Sequence, residues 1–251
     1  MSKSALSQVR RFTRNTAGRD LVVGDVHGCF TKLQAALDAV GFNHGAGDRL
    51  FSVGDLVDRG PESAQALAWL DRLHAVKGNH EAMALDYAAG SCDAGLYAAN
   101  GGAWFIGMTP PERLPFIDAF GALPVAIEVE TAHGLVGLVH ADCPLADWRD
   151  FTDLLLTGEG FEADHVRDMA MWSRRRVEQG DRSDVKGVAV VVVGHTVVNA
   201  IAALGNVLFL DTGAWMSGGE SPQAFGIIDL ATMGPAVAPV VNAAPELLAM
   251  L

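Results

Sequence analysis

Short apolar runs alternate with helical periods through the first half of the chain. Residues 20–24 read as a strand, 30–40 as an amphipathic helix and 49–53 as a strand. Residues 62–73 then read as a helix, 74–77 as a strand and 80–89 as a helix. Apolar strands alternating with amphipathic helices mean βαβ units and parallel strands. Residues 90–111 break the rhythm; their Gly and Pro content predicts a long loop or a small cap. Residues 112–121 return to helix, and "PERLPF" puts Pro and Glu where a helix start favours them.

The second half follows another pattern. Residues 124–130 and 135–140 are β-like around the turn "TAHG", which predicts a hairpin. Residues 145–182 are polar, rich in Asp and Arg, and read as helices with loops. "VAVVVVGH", "AIAAL", "VLFLDTG" and "AFGIIDL" are short strands with Gly turns, giving a mostly antiparallel or mixed β region. No repeat or linker divides the chain. The pattern predicts a basic tail over residues 1–19 and a single α/β domain over 20–251, with two sheets and outer helices.

A chain of 251 residues, half of them hydrophobic, can bury a sizeable core. The formal net charge is −12. Residues 1–19 hold Lys3, Arg10, Arg11, Arg14 and Arg19 and no acid, which leaves −17 on the rest. So acidic a body argues against nucleic acid as a partner. The basic start reads as a solvated charge run in preference to a transit peptide. No apolar run reaches 18 residues and the start lacks a signal-peptide core, so no membrane span is expected. Cys29, Cys92 and Cys143 are an odd, scattered set that suits a reducing compartment, and a cytoplasmic location is expected.

The candidate chemistry sits where the apolar runs stop. "LVV" runs into "GDVHGC" with Asp25 and His27, two residues apart and able to point the same way on an extended segment. "RLFSV" runs into "GDLVDRGPES" with Asp55, Asp58 and Arg59. "HAV" precedes "KGNHEAM" with Asn79 and His80; "GLVGLV" precedes His140; "VAVVVV" precedes "GHT" with His195. Each residue alone has an ordinary explanation as a cap, a turn residue or a core histidine. Five strand ends carrying them together do not. Oxygen and nitrogen donors of this kind suit Mn, Fe or Zn. The donor groups exceed the needs of one divalent ion, so two ions sharing a ligand is the economical reading.

These blocks resemble the calcineurin-like metallophosphoesterases, whose motifs run D-x-H, G-D-x-x-D-R-G, G-N-H-E and then separated histidines, the last in G-H-T. "GDVHGC", "GDLVDRGPES", "GNHE", "VHADCP" and "LFLDTGAW" are most similar to the bacterial and phage-type serine/threonine phosphatases, across about residues 20 to 215. The resemblance implies a four-layer sandwich of two mixed β-sheets flanked by helices. It implies a first metal on Asp25, His27 and Asp55, and a second on Asp55, Asn79, His140 and His195, with manganese the foremost candidate. His80 resembles the general acid, Asp58 its partner, and Arg59 a phosphate-binding arginine. "MWSR" is similar to a motif that supplies another, making Arg174 the match, with Arg175 and Arg176 adjacent. Lys77 and Ser173 stand where relatives usually carry Arg and Asn. Lysine at 77 offers a point charge where arginine offers a fork.

The implied reaction is hydrolysis of a phosphoprotein or small phosphoester by a monomer. Paired divalent ions neutralise a phosphoryl group and lower the pKa of a bridging water. The resulting hydroxide attacks in line, arginine donors stabilise the equatorial oxygens, and His80 protonates the departing oxygen. Symmetrical diadenosine tetraphosphate hydrolases share the metal motifs but usually carry "GDLVARGP" and "GNHD"; Asp58 and Glu81 favour the protein phosphatase. A non-catalytic binding module would have lost a ligand or His80, and none is lost. Asp211 in "LDTG" reads as a turn residue, with a supporting role to a metal-bound histidine as the alternative. "NGGAW" at 100–104 is either a surface loop or part of a lid. Trp172, Trp215 and Cys29 read as packing.

Overall fold

The computed structural model describes residues 8–217 and 224–232. Residues 1–7 of the expected tail, and 218–223 and 233–251 of the expected domain, lie outside the described residues. In chain order the strands are β1 (Val9–Phe12), β2 (Asp20–Val23), β3 (Arg49–Ser52), β4 (His74–Ala75), β5 (Ala126–Thr131), β6 (Gly134–Val139), β7 (Val190–Val193), β8 (Ala202–Leu204), β9 (Val207–Phe209) and β10 (Ile227–Asp229). The helices are α1 (Phe30–Ala39), α2 (Ala66–Leu70), α3 (Asn79–Ala89), α4 (Ala94–Ala99), α5 (Ala103–Ile106), α6 (Pro110–Gly121), α7 (Trp148–Thr157), α8 (Phe161–Trp172) and α9 (Arg175–Gln179).

Two mixed sheets result, ordered β1-β5-β6-β7-β9-β8 and β10-β2-β3-β4. The β2, β3 and β4 strands are parallel, as the alternating first half requires. β5 and β6 form the expected hairpin, Ala126 facing Val139 and Thr131 facing Gly134. The larger sheet is more parallel than its sequence suggested, because β7 runs parallel to both β6 and β9. β10 leaves the C-terminal sheet altogether and pairs antiparallel with β2.

Side chains alternate between the faces of a strand, and here that alternation sorts them into three cores. Val22, Phe51, Ile127, Val129, Leu138, Val192 and Leu208 meet between the sheets. Their neighbours Leu21, Val23 and Leu50 turn outward onto Phe30, Leu33 and Leu37 of α1 and onto the α3–α6 group. Val139, Val191, Val193, Val207 and Phe209 turn the other way onto Trp148, Phe151 and Leu155 of α7 and onto α8. This is the four-layer arrangement. It also explains the unbroken "VVVV" of β7, a strand covered on both faces.

The basic tail is corrected in part. Residues 9–12 are β1, parallel to β5 with Val9 opposite Ala126 and Phe12 opposite Val129. Val9 is buried, Phe12 packs edge-on against Phe51 at 5.0 Å, and Arg11 pairs with Glu128. The region expected as a loop or cap contains α4 and α5. The helix expected over 62–73 is a 3-10 turn, Ser63–Gln65, followed by α2. α6 starts where "PERLPF" indicated, with Thr109 as its cap and the Thr109 amide donating to Glu112 at 2.7 Å.

His74 on β4 lies 4.5 Å from the Phe12 ring and 5.4 Å from Phe51. Burial, reinforced by Arg10 and Arg49, pushes its pKa down to about 4. Between that value and the ordinary one near 6.5 the unfolded chain binds the extra proton. Stability should therefore rise with pH across that window and be lost on acidification through it. The contribution is on the order of 1 kcal/mol once solvent screening is allowed for. His74→Phe should flatten the acid limb of the melting-temperature profile; an unchanged slope would rule His74 out as its source.

Candidate metal centre

The site lies at the carboxyl ends of the strands, where open α/β sheets place ligands. Asp25 and His27 follow β2, Asp55, Asp58 and Arg59 follow β3, and Asn79 and His80 open α3 just after β4. His140 follows β6 and His195 follows β7. Among the described residues, positive φ at a non-glycine position occurs only at His27, Asp55, Asp58, Arg59 and His195. All five belong to the expected site. Left-handed backbone at such residues costs of order 1–3 kcal/mol each and clusters where function demands a particular side-chain aim.

Glu81 holds two of these loops together. Its fully buried carboxylate accepts the amides of Gly78 (2.9 Å), Asp55 (3.0 Å) and Leu56 (2.7 Å). Burial, with the Asp55 charge added, raises its pKa to about 7. Gly54, at φ +97, and Gly78 pack backbone to backbone here; a Cβ on Gly78 would sit 2.2 Å from Asp55 Oδ1.

Three histidines are turned by a bond on one ring nitrogen. Nδ1–H of His27 donates to the Val57 carbonyl (2.9 Å), and Nδ1–H of His140 to Val53 (2.7 Å). His195 donates from Nε2 to Trp172 (3.2 Å). The other nitrogen of each ring faces the cluster, which is how metal-binding imidazoles are oriented. His27 Nε2 lies 3.9 Å from Asp25 Oδ2 and 3.6 Å from Asp55 Oδ2. His140 Nε2 lies 3.4 Å from Asp55 Oδ2 and 2.8 Å from Asn79 Oδ1, and His195 Nδ1 lies 3.0 Å from the same amide oxygen. Asp25 accepts the His195 amide at 3.1 Å on both carboxylate oxygens, tying the ends of β2 and β7.

Two overlapping donor groups emerge, His27–Asp55–His80 and Asp55–His140–His195, each with ligand atoms within 4.8 Å of one another. Asp55 belongs to both, as a shared ligand must. All six expected metal ligands converge here. His80 also lies close, with Nε2 3.8 Å from Asp55 Oδ2, but its Nδ1 is engaged by Asp58 at 2.7 Å and its Nε2 is buried without a partner.

The electrostatics fit a cation centre. Burial and the nearby Asp211 push Asp25 well above the carboxylate range. Burial would do the same to Asp55, but His140, His80 and His27 outweigh it and hold that carboxyl well below the range. Burial opposes charge on His140, yet Asp55 wins and lifts it to about 10; burial takes His195 down to about 2. Buried acids crowded at this density call for positive charge among them.

Arg59 lies at the rim, its Nη1 2.7 Å from His27 Nε2 and its guanidinium 4.2 Å over the Trp215 ring. The three adjacent arginines separate cleanly. Arg174 donates to Thr196 Oγ1 (3.2 Å), beside His195. Arg175 is exposed and bonds Gln179, and Arg176 is buried against Asp142 at 2.9 Å. Lys77 is half-buried, its amide donating to the Pro124 carbonyl. Burial raises the Cys29 thiol pKa, which fits a packing role.

Residues 19–206 match the family model of calcineurin-like phosphoesterases. The chain belongs to the calcineurin-like phosphoesterase family. This phosphoesterase is 35% identical over 208 residues to serine/threonine-protein phosphatase 2 of Salmonella typhimurium, spanning 80% of this chain and 89% of that one. Its likeness to the symmetrical bis(5'-nucleosyl)-tetraphosphatase of Neisseria meningitidis is 41% identity confined to 75 residues, 28% of this chain and 27% of the other. A serine/threonine phosphatase from Saccharomyces cerevisiae shares the fold at a TM-score of 0.57 and 14% identity, covering 90% of this chain and 84% of that one. Family and donor set together make the phosphoesterase a metal-dependent phosphatase.

Sequence reasoning missed four contributors. Tyr97 and Trp104 both bond Asp58, at 3.2 and 2.6 Å. Trp215, taken for packing, stacks on Arg59 and sits 5.1 Å from the His27 ring. Trp172, also taken for packing, is 45% exposed beside His195. "NGGAW" was the one signal, and Gly-Gly before an aromatic points to close backbone approach. Asp211 takes the turn role and makes no hydrogen bond to a histidine of the cluster. It caps its own turn by accepting the Gly213 amide at 2.9 Å, and it stands buried beside Asp25 with one oxygen unpartnered.

Proposed function

We propose that the chain is a dinuclear protein phosphatase that hydrolyses phosphoserine and phosphothreonine esters. The observation that carries this is the 2.7 Å contact between His80 and the fully buried Asp58. A serine or threonine alkoxide is strongly basic and leaves only with a proton. A nucleotide phosphate is a stable anion and leaves without one. An oriented proton donor therefore suits the first substrate class, and the dyad's aspartate is the residue that tetraphosphate hydrolases usually lack.

Asp25, His27 and Asp55 would hold one cation, and Asp55, Asn79, His140 and His195 the other, with manganese the choice that oxygen and imidazole donors favour. Bound there, the pair supplies a nucleophile from water near neutral pH and neutralises the phosphoryl oxygens. Arg59, from the β3 turn, and Arg174, from the end of α8, hold the equatorial oxygens as charge builds on them. His80 passes the proton on Nε2 to the departing oxygen as the P–O bond breaks; the water's hydroxyl stays on phosphorus and its proton goes to solvent. Every group named belongs to one chain, which suits a monomer, and the free thiols Cys29, Cys92 and Cys143 suit the cytoplasm.

The test is a parallel assay with Mn²⁺ on a phosphoserine peptide, a phosphotyrosine peptide, diadenosine tetraphosphate and p-nitrophenyl phosphate. The phosphoserine peptide should exceed the dinucleotide in kcat/KM by at least about tenfold, a margin a few well-placed contacts can supply. The reverse order would assign the site to a dinucleotide hydrolase.

A further inference from the structure

The cap between α3 and α6 reaches the catalytic dyad from behind. Asp58 divides its two oxygens: Oδ2 accepts from His80 Nδ1 at 2.7 Å, while Oδ1 accepts from Trp104 Nε1 at 2.6 Å and from the Tyr97 hydroxyl at 3.2 Å. The Asp58 amide is tied as well, donating to Ser63 Oγ at 2.9 Å. The indole can only donate, so Oδ1 is held as an acceptor. Without those donors the carboxylate could rotate about its last torsion, a soft sp³–sp² rotor, and leave His80.

The approach is built into the backbone. Gly101, at φ +98, lies so close to the Asp58–Arg59 turn that a Cβ there would be 2.3 Å from the Arg59 nitrogen. A Cβ on Gly102 would meet the Tyr97 ring at 2.3 Å. The two glycines bring Trp104 and Tyr97 onto one oxygen, and Trp104 is wedged in place by Phe105 and Phe116 at 5.4 and 5.2 Å.

We propose that Trp104 and Tyr97 are positioning residues that fix the Asp58 carboxylate and through it aim His80 Nε2 at the leaving group. The cap is thus part of the proton-delivery apparatus and not only a wall of the cleft. The inference rests on His80 being the proton donor.

Trp104→Phe keeps the ring contacts and removes the N–H; Tyr97→Phe removes only the hydroxyl. Each is to be measured on a phosphoserine peptide and on p-nitrophenyl phosphate, with metal content and melting temperature alongside. Trp104→Phe should lower kcat on the peptide about tenfold, a share of the 10²–10⁴ that general acid catalysis supplies, with KM and metal content unchanged. The loss on p-nitrophenyl phosphate should stay under about threefold, because nitrophenolate needs little protonation. In a His80→Asn background the same substitution should add nothing, since groups acting as one unit are non-additive. Equal losses on both substrates, or full additivity with His80→Asn, would overturn the proposal while leaving His80 in its role. No substrate asymmetry in His80→Asn itself would overturn both.

Discussion

Asp55→Asn is expected to abolish phosphatase turnover and to strip the protein of both cations at once. Asp55 is common to both donor groups, with Oδ2 3.6 Å from His27 and 3.4 Å from His140. Its Oδ1 also accepts the His80 amide at 3.0 Å, so the residue organises the start of α3 as well. An amide oxygen carries no charge and its other arm is a donor, so neither site keeps its shared anion. Residues that merely support a ligand cost about 10–100-fold in metal affinity when changed; loss of the shared ligand should exceed that range. Asp25→Asn, by contrast, should weaken the first cation and leave the second. Elemental analysis distinguishes them, and chelation of the wild type with restoration by Mn²⁺ gives the reference. Retention of both metals in Asp55→Asn, with activity, would dismantle the dinuclear reading.

His80→Asn should cut turnover on a phosphoserine peptide by about 10²–10⁴, the usual value of a positioned proton donor. Metal content should be unaffected, because Asp25, His27, Asp55, Asn79, His140 and His195 supply both sets of donors without it. The defect should be smaller on p-nitrophenyl phosphate. His195→Asn should behave otherwise, emptying the second site and depressing both substrates together. His80 also stands within ligand distance of His27 and Asp55, so the opposite result has a clear meaning. Equal losses on both substrates, with reduced metal, would make His80 a ligand.

The residues of the candidate metal centre were conspicuous because each follows an apolar run, and a polar residue that stops a buried strand stands out in one dimension. The βα rhythm of the first half and the β5–β6 hairpin were legible for the same reason: their contacts are local. Partners distant in sequence were not. Nothing in "AFGIIDL" says that β10 joins β2 and not the sheet that precedes it. Arg174 could not be separated from Arg175 and Arg176 by pattern, since their difference is the direction each leaves the chain after α8. α4 and α5 were obscured by Gly101 and Gly102, whose purpose is close approach to Arg59 and Tyr97, a tertiary requirement. Arg10 and Arg11 hid β1 in the same way, being exposed while Val9 and Phe12 pack inward.

The first of those two arginines has a consequence for the molecule in a crowded cell. β1 is the end strand of its sheet, with β5 as its one hydrogen-bonded neighbour among the described residues. A terminal strand presents a ladder that another chain can extend, and proteins commonly discourage this with charge on the strand itself. The acidic body already keeps copies of the chain apart at long range, at a net −12. At short range that repulsion is screened within about 8 Å at physiological salt. There Arg10, exposed on the strand, sets a like charge against any second copy of β1 aligning with it, while the charge of Arg11 is paired with Glu128 on β5. The feature that disguised this strand as a tail is also a gatekeeper against edge-to-edge aggregation.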